Sequence, residues 1–285
     1  MDIMKQEVIE AGHFEGATCR YGSSEVFFRG PRRSLDAPYL AFVGGTETYG
    51  KFIQQPFPAL VEMAINRPCV NFGCVNAGID AFVNDQSIMD ICRGADLTVL
   101  QVMGANNLSN RFYSVHPRRN DRFVDASSVL QAIYGDVDFS QFSFTRHMLG
   151  ALHDTSPRRF EIVVNELRQA WSARMKNLLG QIGKRVILLW FSDEAMSDQD
   201  WSMRPSQLQT DPLFITASMI DELRPLLADV VVVNPTAAAL SEGIAGMVFP
   251  PSQESMASEM LGVRCHQEAG VQLVASISKQ LCVMT

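Results

Sequence analysis

Five short, uninterrupted apolar runs constrain this chain more than anything else in it. They are Tyr39–Val43 (YLAFV), Cys69–Phe72 (CVNF), Leu97–Met103 (LTVLQVM), Arg185–Phe191 (RVILLWF) and Asp229–Val233 (DVVVV). Each has the length of a strand and is rich in Val, Leu or Phe. Continuous hydrophobicity, as opposed to alternation, suits strands covered on both faces, as in a parallel sheet. The segments between them carry helical periodicity. Phe57–Asn66 places Leu60, Val61, Ala64 and Ile65 on one stripe, and Asp80–Cys92 does the same with Phe82, Val83, Ile88, Met89 and Ile91. Phe160–Ile182 is a long amphipathic helix, and Glu268–Leu281 closes the chain with another. Strands alternating with helices predict βαβ units.

A length of 285 residues permits one large α/β domain. The sequence divides into a polar, turn-rich extension over 1–38 and a single domain over 39–285. Insertions are expected at about 108–157 and 192–215, both after strand C-termini, the edge where α/β sheets bind ligands. A net charge of −7 disfavours nonspecific nucleic-acid binding. The first sixteen residues lack the apolar core of a secretory signal, and no run of eighteen apolar residues exists to span a membrane. The expected location is therefore cytoplasmic. Six cysteines and five histidines show neither CxxC nor HExxH spacing, so no metal is expected, and the cysteines read as reduced thiols. The glycine-rich turn at 44–50 fits neither GxGxxG nor GxxxxGK[ST], so no nucleotide cofactor is expected.

Three strand ends and one C-terminal segment carry the chemistry. The first strand runs into Gly44-Gly45-Thr46-Glu47-Thr48-Tyr49-Gly50, where glycines allow a tight turn and Thr46 either caps the next helix or projects its hydroxyl from the sheet edge. The second ends in Asn71-Phe72-Gly73, the third in Gly104-Ala105-Asn106-Asn107. Cys265-His266-Gln267-Glu268-Ala269-Gly270 stands just before the final helix.

In this order the four pieces resemble the blocks of the SGNH/GDSL hydrolases. That family's GDSxTxG is matched by GGTETYG, its second-block glycine by Gly73, its GxND by GANN with Asn106 in place, and its DxxH by Val263-Arg264-Cys265-His266. The resemblance implies a flavodoxin-like three-layer α/β/α sandwich with a five-stranded, mainly parallel sheet. It implies ester hydrolysis or acyl transfer on a polar small molecule or glycan. Thr46 would be the nucleophile and His266 the base. The backbone N–H groups of Thr46 and Gly73 and the amide of Asn106 would receive the oxyanion. The departures are chemical. Threonine crowds its own attack path, Gly45 and Asn107 replace motif aspartates, and Val263 stands where the acid that orients the histidine belongs. The alternative on the same scaffold is a non-hydrolytic ligand-binding or group-transfer protein. His266 then has only a structural hydrogen bond to make.

Asn110–Phe123 packs four arginines, a histidine and three aromatics into fourteen residues of an acidic chain. Arg111, His116, Arg118, Arg119 and Arg122 are the candidate substrate-binding residues. Guanidinium forks suit carboxylate, phosphate or sulfate, which predicts an anionic ligand. The competing reading pairs the same arginines with the chain's own acids.

Overall fold

The structure is a computed structural model that describes residues 18–183, 185–198, 208 and 210–283. Residues 1–17 of the expected extension, and 199–207 and 209 of the expected second insertion, lie outside the described residues.

The five apolar runs are the five strands of one parallel sheet. They form β1 (Leu40–Gly44), β2 (Cys69–Gly73), β3 (Leu97–Gln101), β6 (Val186–Phe191) and β7 (Asp229–Val233), in the order β2-β1-β3-β6-β7. All four neighbouring pairs are parallel. Alternate residues enter different cores, as the pleat requires. Ala41, Val43, Val70, Leu100, Leu188 and Trp190 face one helical layer; Leu40, Phe42, Val99, Ile187, Leu189 and Phe191 face the other. This is the three-layer α/β/α sandwich anticipated from the sequence.

The remaining strands, β4 (Tyr113–His116) and β5 (Arg119–Ala126), form an antiparallel hairpin inside the first insertion. The helices are α1 (Thr46–Tyr49), α2 (Phe57–Ile65), α3 (Asp80–Val83), α4 (Gln86–Gly94), α5 (Ser128–Ile133), α6 (Thr145–Thr155), α7 (Pro157–Ile182), α8 (Ala217–Asp221), α9 (Ala237–Ser241), α10 (Glu254–Ser258) and α11 (Val263–Val283). Helices α2 and α11 cover one face of the sheet through Phe57, Val61, Cys265, Ala269, Leu273 and Ile277. Helices α4 and α7 cover the other through Ile88, Met89, Trp171, Met175 and Leu178.

Several expectations are corrected. The helix expected over Asp80–Cys92 is two, because Asp85 caps a new helix by accepting from the Ile88 N–H. The long helix begins at Pro157, capped by Ser156. The third strand stops at Gln101 rather than Met103. The last helix begins at Val263, so His266 lies within its first turn and not ahead of it. Its N–H already bonds to the Gly262 carbonyl.

Residues 18–38 are packed onto the body. Tyr21 and Phe28 are fully buried and meet the Phe72 ring edge-on, at centroid distances of 5.3 and 4.9 Å. Arg29 reaches from this segment to the end of α1 and donates to the carbonyls of Tyr49, Gly50 and Gln54. Cys19, Cys69, Cys74, Cys92 and Cys265 are free thiols, and among the described residues no helix is long and apolar enough to cross a membrane.

Candidate functional site

The C-terminal ends of β1, β2 and β3 converge, and polar side chains join them. Gly44 and Gly73 are register partners, so the first two ends lie side by side. Helix α1 then folds directly over β2. A Cβ on Gly73 would stand 2.1 Å from the Tyr49 amide nitrogen, which excludes every other residue. A Cβ on Gly44 would stand 2.2 Å from Thr48 Oγ1 and 2.6 Å from the Gln101 side chain. These two glycines therefore exist for close packing of the turn.

Thr46 Oγ1 accepts a hydrogen bond from the Asn76 N–H (3.0 Å) and donates to Asn76 Oδ1 (3.4 Å). Asn76 adopts a left-handed backbone, φ 56, which asparagine tolerates better than most residues. Its Nδ2 donates to Asp121 on β5 (3.3 Å), and its carbonyl accepts from Asn107 Nδ2 (3.1 Å). Asn107 Oδ1 in turn accepts from Asn106 Nδ2 (2.8 Å) and Thr145 Oγ1 (2.7 Å). Buried Asn106 is held by Tyr113, whose hydroxyl donates to its carbonyl at 2.6 Å. Thr46 and Asn106 thus belong to one chain of hydrogen bonds running Thr46, Asn76, Asn107, Asn106. Gly73 lies beside it, but its N–H donates to Asn71 Oδ1 at 2.8 Å.

His266 is placed differently. Its ring is fully buried, stacked on Phe57 at 5.7 Å and edge-on to Phe191 at 5.2 Å. Nδ1 accepts from the Phe57 N–H at 3.3 Å. Pro56, the N-cap of α2, offers no side-chain oxygen, so His266 satisfies one of that helix's orphan donors from outside. Burial pushes the imidazole down to about 3, so it is neutral at physiological pH and carries its proton on Nε2. The hydrogen bond of His266 goes to α2, and that of Thr46 goes to Asn76.

The arginine-rich segment forms the β4–β5 hairpin and its approach. Arg111 donates from Nε to Glu166 (2.6 Å) and pairs with it again through Nη2. Arg118 pairs with Glu25 at 2.6 Å, tying the hairpin to the N-terminal segment. Arg122 lies 4.0 Å above the Phe144 ring. His116 Nδ1 accepts from the Arg118 N–H. Arg119 opens β5, two residues before Asp121.

Two acids to which the sequence blocks assign no role stand at this edge. Glu47 follows Thr46 in the same block. Its Oε2 accepts from Gln101 Nε2 at 2.6 Å. Burial raises its carboxyl above the usual range. Asp211 is paired through both oxygens with Arg146 Nη2 at 2.9 and 2.8 Å. Its side chain reaches water, yet surrounding protein desolvates it and raises its carboxyl also. Glu47 is legible only through Gln101, since a glutamine inside an apolar strand needs partners for its amide. Asp211 comes from a distant loop that no local pattern connects to Thr46.

The profile of the family described as "Domain of unknown function (DUF6473)" matches residues 4–281, nearly the whole chain. The chain belongs to this family. No curated protein matches it. Among solved structures it is similar to the lipase Lip_vut3 from a goat rumen metagenome, at 13% identity and TM-score 0.43, covering 84% of this chain and 97% of that one. It is similar too to the acetyl xylan esterase Est2A of the rumen bacterium Butyrivibrio proteoclasticus, at 10% identity and TM-score 0.41, over 90% of this chain and 67% of that one. A third is a carbohydrate esterase family 2 enzyme with its carbohydrate-binding domain from Corynascus thermopiles (Myceliophthora fergusii), at 10% identity and TM-score 0.40, over 89% and 69% of the two chains.

Proposed function

We propose that this protein binds a polar small molecule or glycan at the ends of β1, β2 and β3, as a ligand-binding or group-transfer protein built on an SGNH-like scaffold. One observation carries the reading: the hydroxyl of Thr46 is bonded to Asn76 while His266 gives its Nδ1 lone pair to α2. A nucleophile needs a base within reach and an acid behind the base. Here the base is spent and Val263 stands in the acid's place. The edge instead offers a fixed set of amides, hydroxyls and carboxyls, the side chains that hydrogen-bond a hydroxyl-rich ligand. An anionic ligand has less support. Arg111, Arg118 and Arg146 are engaged with Glu166, Glu25 and Asp211.

The second reading is the one the sequence blocks imply: ester hydrolysis or acyl transfer, with Thr46 as nucleophile and Asn106 at the oxyanion. Its support is that Thr46 and Asn106 share one edge and one hydrogen-bond chain. Turnover of p-nitrophenyl acetate and butyrate separates the two. Wild type and Thr46→Ala should hydrolyse both esters at equal, background rates, while neutral glycans raise the melting temperature of the wild type. Ester turnover lost in both Thr46→Ala and His266→Gln, with each variant folded, would establish the second reading in place of the first.

A further inference from the structure

We propose that a groove along α7 is a second ligand site, for an organic dianion that places one acid group on Arg111 and the other on Arg174. None of the residues lining the groove belongs to the chain from Thr46 to Asn106, so it is distinct from the strand-end edge. Of the arginines that the sequence singles out, Arg111 alone lines it.

The groove has a volume of about 580 Å3. On one side is the turn Ser109–Arg111. On the other is the face of α7 that carries Glu166, Ala170, Ala173, Arg174 and Asn177. Their spacing puts them on one face of the helix. Ala170 and Ala173 leave the middle of that face with nothing longer than a methyl group. The guanidiniums stand at the ends, Arg111 beside Glu166 and Arg174 beside Asn177.

Each guanidinium is anchored by a buried acid. Arg111 gives its backbone N–H, its Nε and its Nη2 to Glu166, whose side chain is 6% exposed. Arg174 Nε lies 3.2 Å from Oδ1 of Asp80, whose side chain is 8% exposed, and its Nη2 donates to the Ser109 carbonyl at 3.3 Å. The Asp80 pairing is one of charge, since Oδ1 accepts no hydrogen bond. In both arginines Nη1 has no protein partner among the described residues. A guanidinium already held in place binds an oxyanion without the entropy cost of ordering a long side chain.

The remaining polar atoms give the sign of the ligand. The Glu166 carboxylate accepts from Arg111, and the Ser109 carbonyl from Arg174. Ser109 Oγ accepts from the Val115 N–H at 3.1 Å, and Asn177 Oδ1 from Gln181 Nε2 at 2.9 Å. What is left over donates: Nη1 of both arginines, Nδ2 of Asn177 and the hydroxyl proton of Ser109. A wall of spare donors, two of them charged, suits a ligand that accepts, and an anionic one above all. Spacing sets the number of acid groups. Glu166, which holds Arg111, and Arg174 are roughly two turns apart on α7, about 12 Å of rise. A single carboxylate or phosphate cannot reach both guanidiniums. Two acid groups joined by an uncharged body lying over Ala170 and Ala173 can.

The test is calorimetric titration of the full chain, at low ionic strength, with suberate, octanoate, succinate and inorganic phosphate. Suberate carries two carboxylates far enough apart to bridge the groove. Octanoate has one, succinate is too short, and phosphate is a single oxyanion. Suberate should bind saturably, and the other three about tenfold more weakly or worse. Ala173→Leu fills the floor at an exposed helical position and touches no charge. It should remove suberate binding and leave the melting temperature unchanged. Arg111→Gln and Arg174→Gln should each bring suberate down to the level of octanoate. If Arg174→Gln fails to fold for want of a partner to Asp80, Ala173→Leu and Arg111→Gln decide alone. Suberate that does not bind, binds no better than octanoate, or binds Ala173→Leu as well as wild type would overturn the proposal. The melting shift with neutral glycans is read separately, so the strand-end site stands or falls on its own.

Discussion

Two regions of the molecule were expected to form one site, and they are built on opposite rules. Thr46 is hydrogen-bonded to Asn76, and the polar chain continues through Asn107 to Asn106, crossing from the end of β1 to the ends of β2 and β3. Around His266 the neighbours are Phe57 and Phe191, and one hydrogen bond serves the end of a helix. The first arrangement keeps groups available to a ligand at modest cost in stability. The second removes an imidazole from water to complete a core. A histidine can serve chemistry or packing from the same position in the sequence, and the partner of its Nδ1 decides between them.

The contrast is sharpest in stability. His266→Ala should destabilise the fold by roughly 2–4 kcal/mol in a denaturant titration, since it removes a ring from a close-packed shell and leaves the Phe57 N–H unsatisfied. A variant of unchanged stability would return His266 to the candidate active site.

The pH dependence comes next. The unfolded chain protonates this imidazole near its ordinary value, the folded chain only at about 3. Between those values the unfolded state binds more protons. The contribution of His266 is therefore whole above about pH 6.5 and is lost as pH falls, with a slope up to about 1.4 kcal/mol per pH unit. Denaturation of the wild type and of His266→Gln across pH 4 to 7 should show that slope in the wild type and a shallower one in the variant.

The smallest effect is at the polar edge. Thr46→Ala takes one acceptor from the exposed Asn76 N–H and should cost about 1 kcal/mol or less. A loss as large as that of His266→Ala would mean that the edge is structural and the contrast false.

The sheet was legible because burial on both faces writes itself into local sequence as unbroken apolar runs; all five strands lie where those runs are. Helix boundaries were less so. Asp85 could be known as a cap, and Val263 as a start, only from bonds to neighbouring turns. In the candidate site, the positions of Thr46, Gly73 and Asn106 followed from the strand ends. What could not be read was direction. Nothing in HQEAG says that the ring of His266 turns toward Phe57, 209 positions away in the chain. Nor does a run of arginines reveal that Glu166 and Glu25 wait for two of them.

The packing of residues 18–38 bears on which apolar surface the sheet leaves uncovered. β2 lies at one edge of the sheet, and Phe72 on that strand is covered by Tyr21 and Phe28 from ahead of the first strand. A chain begun at Tyr39 would retain all five strands of the sheet and would still show bare aromatic surface beside an open edge. Such an edge invites pairing between molecules. Residues 18–38 thus cover apolar surface beside that edge, and a chain trimmed of them should elute as aggregates on size exclusion before it yields a smaller domain.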